Sequence, residues 1–103
     1  MVRYRCKPDQ VARNEELVRG VYAELHRVQP EGLRYATFRL DDGVTFVHIA
    51  EIEGEGNPLA TIEAFAQFTA HIAERCDEPP APAGMHEIGA FHLFTRPDEE
   101  AAR

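Results

Sequence analysis

Residues 44–52, with the sequence VTFVHIAEI, restrict the fold of this chain more than any other segment. So short a run of β-branched and aromatic residues favours a strand, in which successive side chains point to opposite faces. One face carries Val44, Phe46, Ala50 and Ile52, and the other carries Val47 and Ile49. A strand that is apolar on both faces must be covered on both faces.

The segments around this strand alternate between the two-residue period of strands and the longer period of helices. Asp42 and Gly43 predict a hairpin turn before it. Asn57 and Pro58 predict the start of a helix, because Asn caps free backbone amides and Pro fits the first turn. The predicted elements are strands at residues 2–6, 33–40, 44–52 and 85–94, and helices at residues 8–28 and 57–76.

This order of elements, β-α-β-β-α-β, predicts a ferredoxin-like α+β fold: a four-stranded antiparallel sheet with two helices on one face. The proline-rich residues 77–84 (DEPPAPAG) are predicted to form an exposed connection that is neither helix nor strand. Residues 1–95 are expected to form a single domain, and the polar residues 96–103 a disordered tail.

The apolar outer face of the third strand also predicts a homodimer. Two helices can cover only one face of a small sheet, and 103 residues leave no second domain to cover the other. A second copy of the chain is the simplest cover. Two such sheets, packed face to face, would finish the burial that one short chain begins.

Charge and hydropathy restrict the partners and the location. A net charge of −7 argues against binding to nucleic acid or to an anionic membrane surface. No apolar run approaches the length that spans a bilayer, and the first residues lack the apolar stretch of a signal peptide, so a cytoplasmic protein is expected. Cys6 and Cys76 are far apart in sequence and are expected to be reduced, mostly buried thiols.

Three segments resemble a known family. They are PEGLRY at residues 30–35, the hairpin that ends at Glu51, and FAQF at residues 65–68. On these segments, residues 3–94 resemble the antibiotic-biosynthesis-monooxygenase-like family of small dimeric α+β barrel proteins. The resemblance implies that two sheets pack into a barrel, with a small cavity between each sheet and its helices. It also implies one of several functions, because members include cofactor-independent oxygenases of polycyclic aromatic substrates, haem-degrading enzymes and proteins without an assigned activity.

The chain departs from this family at two positions. Ala64 stands where many members carry a histidine, and Ile52 stands where an aromatic residue is common. The chain also has no tryptophan, which removes the ring that the haem-degrading members use. The haem-degrading activity is therefore not expected.

Three polar residues are candidates for catalysis or ligand binding. His48 interrupts the apolar face of the third strand, where a buried imidazole can act as a general base, bond a ligand or simply be a satisfied core residue. Asn14 lies on the apolar stripe of the first helix, facing either a polar pocket or a nearby backbone group. Tyr35 can present its hydroxyl to a cavity or merely pack.

Apolar side chains that could line such a cavity are Phe46, Phe65, Phe68 and Phe91. No cofactor and no metal are expected, because the chain has no nucleotide-binding glycine motif and no metal-ligand spacing. Two functions stay open. One is a cofactor-independent oxygenase of an apolar aromatic metabolite, and the other is a non-enzymatic homodimer that binds a small ligand or a protein partner.

Overall fold

The computed structural model describes residues 1–93, which form four strands and two α-helices. The strands are β1 (Val2–Cys6), β2 (Leu33–Arg39), β3 (Thr45–Ile52) and β4 (Cys76–Pro82), and the helices are α1 (Val11–Val28) and α2 (Glu63–Ala70). Single 3₁₀ turns lie at Pro8–Gln10, Pro58–Thr61 and Ile72–Arg75. The sheet order is β2-β3-β1-β4, and every neighbouring pair is antiparallel. The predicted ferredoxin-like fold is confirmed.

The β2–β3 hairpin is held at both ends by local chemistry. At the turn, the Asp42 carboxylate accepts hydrogen bonds from the amides of Val44 and Thr45, at 3.0 and 2.8 Å. At the open end, Gly32 has φ +75°, and its carbonyl accepts a hydrogen bond from the Glu53 amide at 2.8 Å. A Cβ at Gly32 would lie 2.9 Å from the Glu53 carbonyl oxygen, so this position requires glycine.

The second helix is much shorter than predicted. Asn57 does cap the chain, since its side-chain oxygen accepts from the Leu59 amide at 3.0 Å, but the turn it begins is 3₁₀ and ends at Thr61. α2 begins only at Glu63, where the Glu24 carboxylate of α1 accepts from the amides of Glu63 and Ala64, at 3.1 and 2.9 Å. A carboxylate from another helix therefore replaces a local cap.

The prediction for the fourth strand was wrong. β4 is Cys76–Pro82, within the segment expected to be an exposed connection, and residues 85–93 form no strand. Proline is tolerated here because β4 is an edge strand that pairs only with β1, so half of its amides need no partner. The register also shifts between Arg3 and Cys6 of β1. The remaining residue of the predicted strand and the predicted tail lie outside the described residues.

The core lies between the sheet and both helices. Its buried residues are Tyr4, Cys6 and Phe46 from the strands, Val18 and Val21 from α1, Phe68 from α2, and Cys76 at the start of β4. The opposite face of the sheet carries Phe38, Val47 and Ile49, and neither α1 nor α2 covers it. Within residues 1–93, no helix has the length and apolar character needed to cross a membrane.

Candidate ligand cavity

A cavity of about 380 Å³ lies between the helix-facing side of the sheet and the segment that contains α2. This volume is within the range of small-molecule sites, whose walls are mostly apolar with a few placed polar groups. The apolar wall includes Val2, Ala50, Ile52, Leu59, Phe65, Phe68 and Ile72, and the polar wall includes Tyr4, Tyr35 and His48.

His48 is at the centre of the polar wall. It lies in the middle of β3, on the face that packs against the helices, and it is 6% exposed. Its Nε2 lies 2.8 Å from the hydroxyl oxygen of Tyr4. Its Nδ1 lies 2.5 Å from the hydroxyl oxygen of Tyr35 and 3.1 Å from that of Thr37. Both ring nitrogens are therefore hydrogen-bonded.

Burial determines the charge of this cluster. Removal from water lowers the pKa of His48 from 6.5 to about 4, because the imidazolium form loses its hydration. The same desolvation raises the pKa of Tyr4 and of Tyr35 above the usual value of a phenol. At neutral pH the imidazole is thus uncharged, and both tyrosines keep their protons.

A second group of polar residues, outside the cavity lining, holds the Tyr4 hydroxyl. Asn14 of α1 is completely buried, and its Nδ2 donates to the Tyr4 hydroxyl at 2.8 Å. Arg75 is also buried and donates from Nε to the Asn14 Oδ1 at 3.2 Å and from Nη2 to the Phe68 carbonyl at 2.6 Å. The Arg75 guanidinium lies over the Phe68 ring, 5.5 Å from its centre.

Tyr35 is held from the other side. Its ring stacks on that of Tyr22 with the centres 5.4 Å apart, and the Tyr22 hydroxyl bonds that of Thr37 at 2.8 Å. Thr37 lies directly across from His48 in the β2–β3 register, which brings its hydroxyl beside Nδ1. Tyr35 is therefore fixed by stacking and by hydrogen bonding.

The structure brings all three predicted polar residues into one network. His48 and Tyr35 are in direct contact, whereas Asn14 reaches His48 only through Tyr4. Two further members of the network, Tyr4 and Arg75, were not predicted from the sequence. Tyr4 fits the ordinary alternation of a strand, and nothing in the sequence around Arg75 signals that a guanidinium is buried there.

The four predicted cavity phenylalanines are not all at the cavity. Phe65 and Phe68 line it. Phe46 packs against the Tyr4 ring, with centres 5.5 Å apart, outside the cavity lining. Phe91 lies outside the lining and is 84% exposed. Within residues 1–93, no three His, Cys, Asp or Glu residues lie close enough to hold a metal ion.

Fold and site together define a ferredoxin-like domain with an apolar cavity and a hydrogen-bonded histidine–tyrosine wall. No family model matches the chain, and no curated protein or solved structure is significantly similar to it. The resemblance to the antibiotic-biosynthesis-monooxygenase-like family therefore stays a prediction.

Proposed function

We propose that this chain is a homodimeric binding protein for a small apolar, aromatic molecule, held in the cavity beside His48. The observation that carries the proposal is the composition of the cavity wall. Most of the wall is apolar, and one bonded cluster of Tyr4, Tyr35 and His48 provides polar groups. Such a wall suits a ligand that is mostly hydrocarbon ring with one polar atom.

Binding fits the cluster better than base catalysis does. A general base needs a free lone pair within reach of the proton that it removes. Both nitrogens of His48 are already bonded to hydroxyl groups, and its pKa of about 4 makes the imidazole a weak base. In this arrangement the imidazole positions the two tyrosine hydroxyls.

A cofactor-independent oxygenase is the second candidate function, as the family resemblance implies. The observation in its favour is an uncharged imidazole in the wall of an apolar cavity. In such a reaction the substrate itself supplies the electrons that reduce dioxygen. If this function is correct, a polycyclic phenol such as 1-naphthol causes oxygen uptake by the protein, and His48→Ala abolishes that uptake without unfolding the domain.

The homodimer is proposed from two exposed apolar surfaces. Phe38 is 44% exposed on the sheet face that neither helix covers, beside Val47 of the neighbouring strand. After β4, Ile88 and Phe91 are 98% and 84% exposed. We take these exposed apolar side chains as surface that a partner would cover. A second copy that packs against the sheet face would cover the first surface and complete the predicted barrel.

A charge on the sheet face tests the dimer. Phe38→Lys is expected to convert the dimer to a monomer, because a lysine buried in an apolar interface loses its hydration. Val28→Lys is the matched control, since Val28 is also 44% exposed but lies on α1, away from the sheet face. Sedimentation or light scattering should give twice 11.6 kDa for the wild type and the control. A wild-type monomer at micromolar concentration would contradict the proposed dimer.

Filling the cavity tests the ligand site. Fluorescence titration with fluorene, a rigid tricyclic hydrocarbon, should show saturable binding to the wild type. Ala50→Phe places a ring in the cavity and is expected to weaken binding at least tenfold, since it removes the space that the ligand occupies. Ala23→Phe adds the same ring at an exposed position of α1 and should leave binding unchanged. Equal weakening by both variants would place the binding outside this cavity.

A further inference from the structure

We propose that every hydrogen bond in the buried network is donated in the same direction, from Arg75 toward Tyr35. The cavity then offers the Tyr35 O–H as a donor and selects ligands that carry an acceptor oxygen. The inference rests on the proposed function for its ligand, but the direction of the hydrogen bonds is a property of the protein alone. The two parts can therefore be tested separately.

The direction begins at Arg75, because a guanidinium only donates hydrogen bonds. Its Nε donates to an Asn14 side-chain atom at 3.2 Å, which must therefore be the amide oxygen. The other end of the Asn14 amide is then the NH₂ group, which lies 2.8 Å from the Tyr4 hydroxyl. Arg75 thereby fixes the orientation of the amide and makes Asn14 a donor toward Tyr4.

Tyr4 continues the same order of donor and acceptor. Its hydroxyl oxygen accepts from Asn14, so its own O–H is left to donate, and the remaining partner at 2.8 Å is His48 Nε2. The opposite choice, a proton on Nε2, would give the Tyr4 oxygen two donors and leave the Tyr4 O–H buried without an acceptor. A buried donor without an acceptor is destabilising, because it has lost its hydrogen bond to water. Nε2 is therefore the acceptor.

An uncharged imidazole with a bare Nε2 must carry its proton on Nδ1. The Nδ1–H then donates to the Tyr35 hydroxyl oxygen at 2.5 Å, and the Thr37 oxygen lies close to the same nitrogen at 3.1 Å. Tyr35 receives a hydrogen bond and keeps its own O–H. Tyr35 lines the cavity, so this O–H is available to a ligand.

A ligand that uses this donor must present an acceptor, such as a ketone or quinone oxygen. Tyr35 is then the residue that determines specificity, and Arg75, Asn14, Tyr4 and His48 are positioning residues that orient its proton. A ligand that carries only a donor should bind less tightly to this wall, because the Tyr35 oxygen already accepts a hydrogen bond from His48.

Asn14→Asp should reverse the direction of each hydrogen bond between residue 14 and Tyr35. A carboxylate accepts from Arg75 on one oxygen and from the Tyr4 O–H on the other. The Tyr4 oxygen must then accept from a proton on His48 Nε2, which leaves Nδ1 bare to accept the Tyr35 O–H. The cavity would present an acceptor instead of a donor. The substitution keeps the shape of the side chain and places its charge beside the Arg75 guanidinium.

The first part of the test needs no ligand. Nitrogen-15 NMR of histidine-labelled protein distinguishes a ring nitrogen that carries a proton from a bare one, and His48→Gln identifies the signals of His48. The expected wild-type result at neutral pH is a proton on Nδ1, and the expected Asn14→Asp result is a proton on Nε2. A wild-type proton on Nε2, or an unchanged tautomer in a folded Asn14→Asp variant, would overturn the proposed direction.

The second part compares three tricyclic molecules of nearly the same shape: fluorenone has only an acceptor, carbazole only an N–H donor, and fluorene neither. The wild type should bind fluorenone roughly fivefold more tightly than fluorene, the effect of one typical net hydrogen bond. Tyr35→Phe should abolish this preference, and Asn14→Asp should transfer it to carbazole. Equal affinities for the three in the wild type would overturn the ligand selection.

The two proposals fail in different ways. If none of the three molecules binds, the proposed binding function is wrong, while the tautomers still decide the direction of the network. If Asn14→Asp does not fold, the wild-type tautomer and the Tyr35→Phe affinities decide the inference by themselves. A fluorenone preference that persists in Tyr35→Phe would assign the donor to another residue.

Discussion

Acidification should destabilise this protein through His48 in particular. Burial lowers the pKa of the imidazole to about 4 in the folded chain, against 6.5 for an exposed histidine. Well above pH 6.5 the imidazole is uncharged in both the folded and the unfolded state, and the contribution of His48 to stability is fully present. As pH falls below 6.5, His48 binds a proton in the unfolded chain but not in the folded chain. The free energy of unfolding therefore decreases until the pH reaches the pKa of His48 in the folded chain.

The size of this effect follows from the two pKa values. Their difference is about 2.5 units, and one unit corresponds to 1.36 kcal/mol, so His48 should remove roughly 3 kcal/mol from the free energy of unfolding between pH 7 and pH 4. A small domain has about 5–15 kcal/mol in total. The loss is therefore large enough to measure.

The assay is urea unfolding at a series of pH values and at one fixed protein concentration, because a dimer makes apparent stability depend on concentration. Carboxyl groups also titrate in this range, so the comparison is with His48→Gln, which has no imidazole at that position. The wild type should lose roughly 3 kcal/mol more than His48→Gln on acidification. His26→Gln, which changes an exposed histidine of α1, is the matched control and should follow the wild type. Parallel curves for the wild type and His48→Gln would refute the argument from burial.

Two further predictions concern the thiols and the hairpin. Cys6 and Cys76 are buried opposite each other on β1 and β4, and burial raises the pKa of the Cys6 thiol to about 12. A thiol reagent should therefore label both cysteines only at the rate of unfolding. Fast labelling of either cysteine in the folded protein would contradict this prediction. Gly32→Ala should destabilise by roughly 3 kcal/mol, because it combines a positive φ with a Cβ 2.9 Å from the Glu53 carbonyl. Gly43→Ala should lower the free energy of unfolding by only about 1 kcal/mol, since Gly43 has a similar φ with open space around it. Equal losses of stability for the two variants in thermal or urea unfolding would refute the role of the contact between a Cβ at position 32 and the Glu53 carbonyl.

The fold was predictable from the sequence wherever its cause is local. The alternation of β1, the period of α1 and the Asp42–Gly43 turn all depend on neighbouring residues, and the structure confirms them. The start of α2 was not predictable, because the carboxylate that caps it belongs to Glu24, far away in sequence. β4 was missed because the sequence does not reveal that its prolines lie on an edge strand.

The candidate site was predictable in part, for a related reason. His48 and Asn14 stand out as polar residues at positions where the local pattern requires apolar ones, and both are buried. Tyr4 and Arg75 complete the network but fit their own local patterns, so only the packing of α1 against β1 and the turn before β4 reveals them. Interactions between distant segments lie outside what periodicity can indicate.

The most direct test of the proposed ligand site is to record the imidazole nitrogen signals of His48 while fluorenone is added to the wild-type protein. A ligand held against Tyr35 changes the hydrogen bond that His48 Nδ1 makes to that hydroxyl, so the Nδ1 signal should shift and saturate with bound ligand. The signals of the exposed His26 should not move. Saturable binding without any change at His48 would contradict the proposed site, because the ligand would then lie away from the histidine–tyrosine wall.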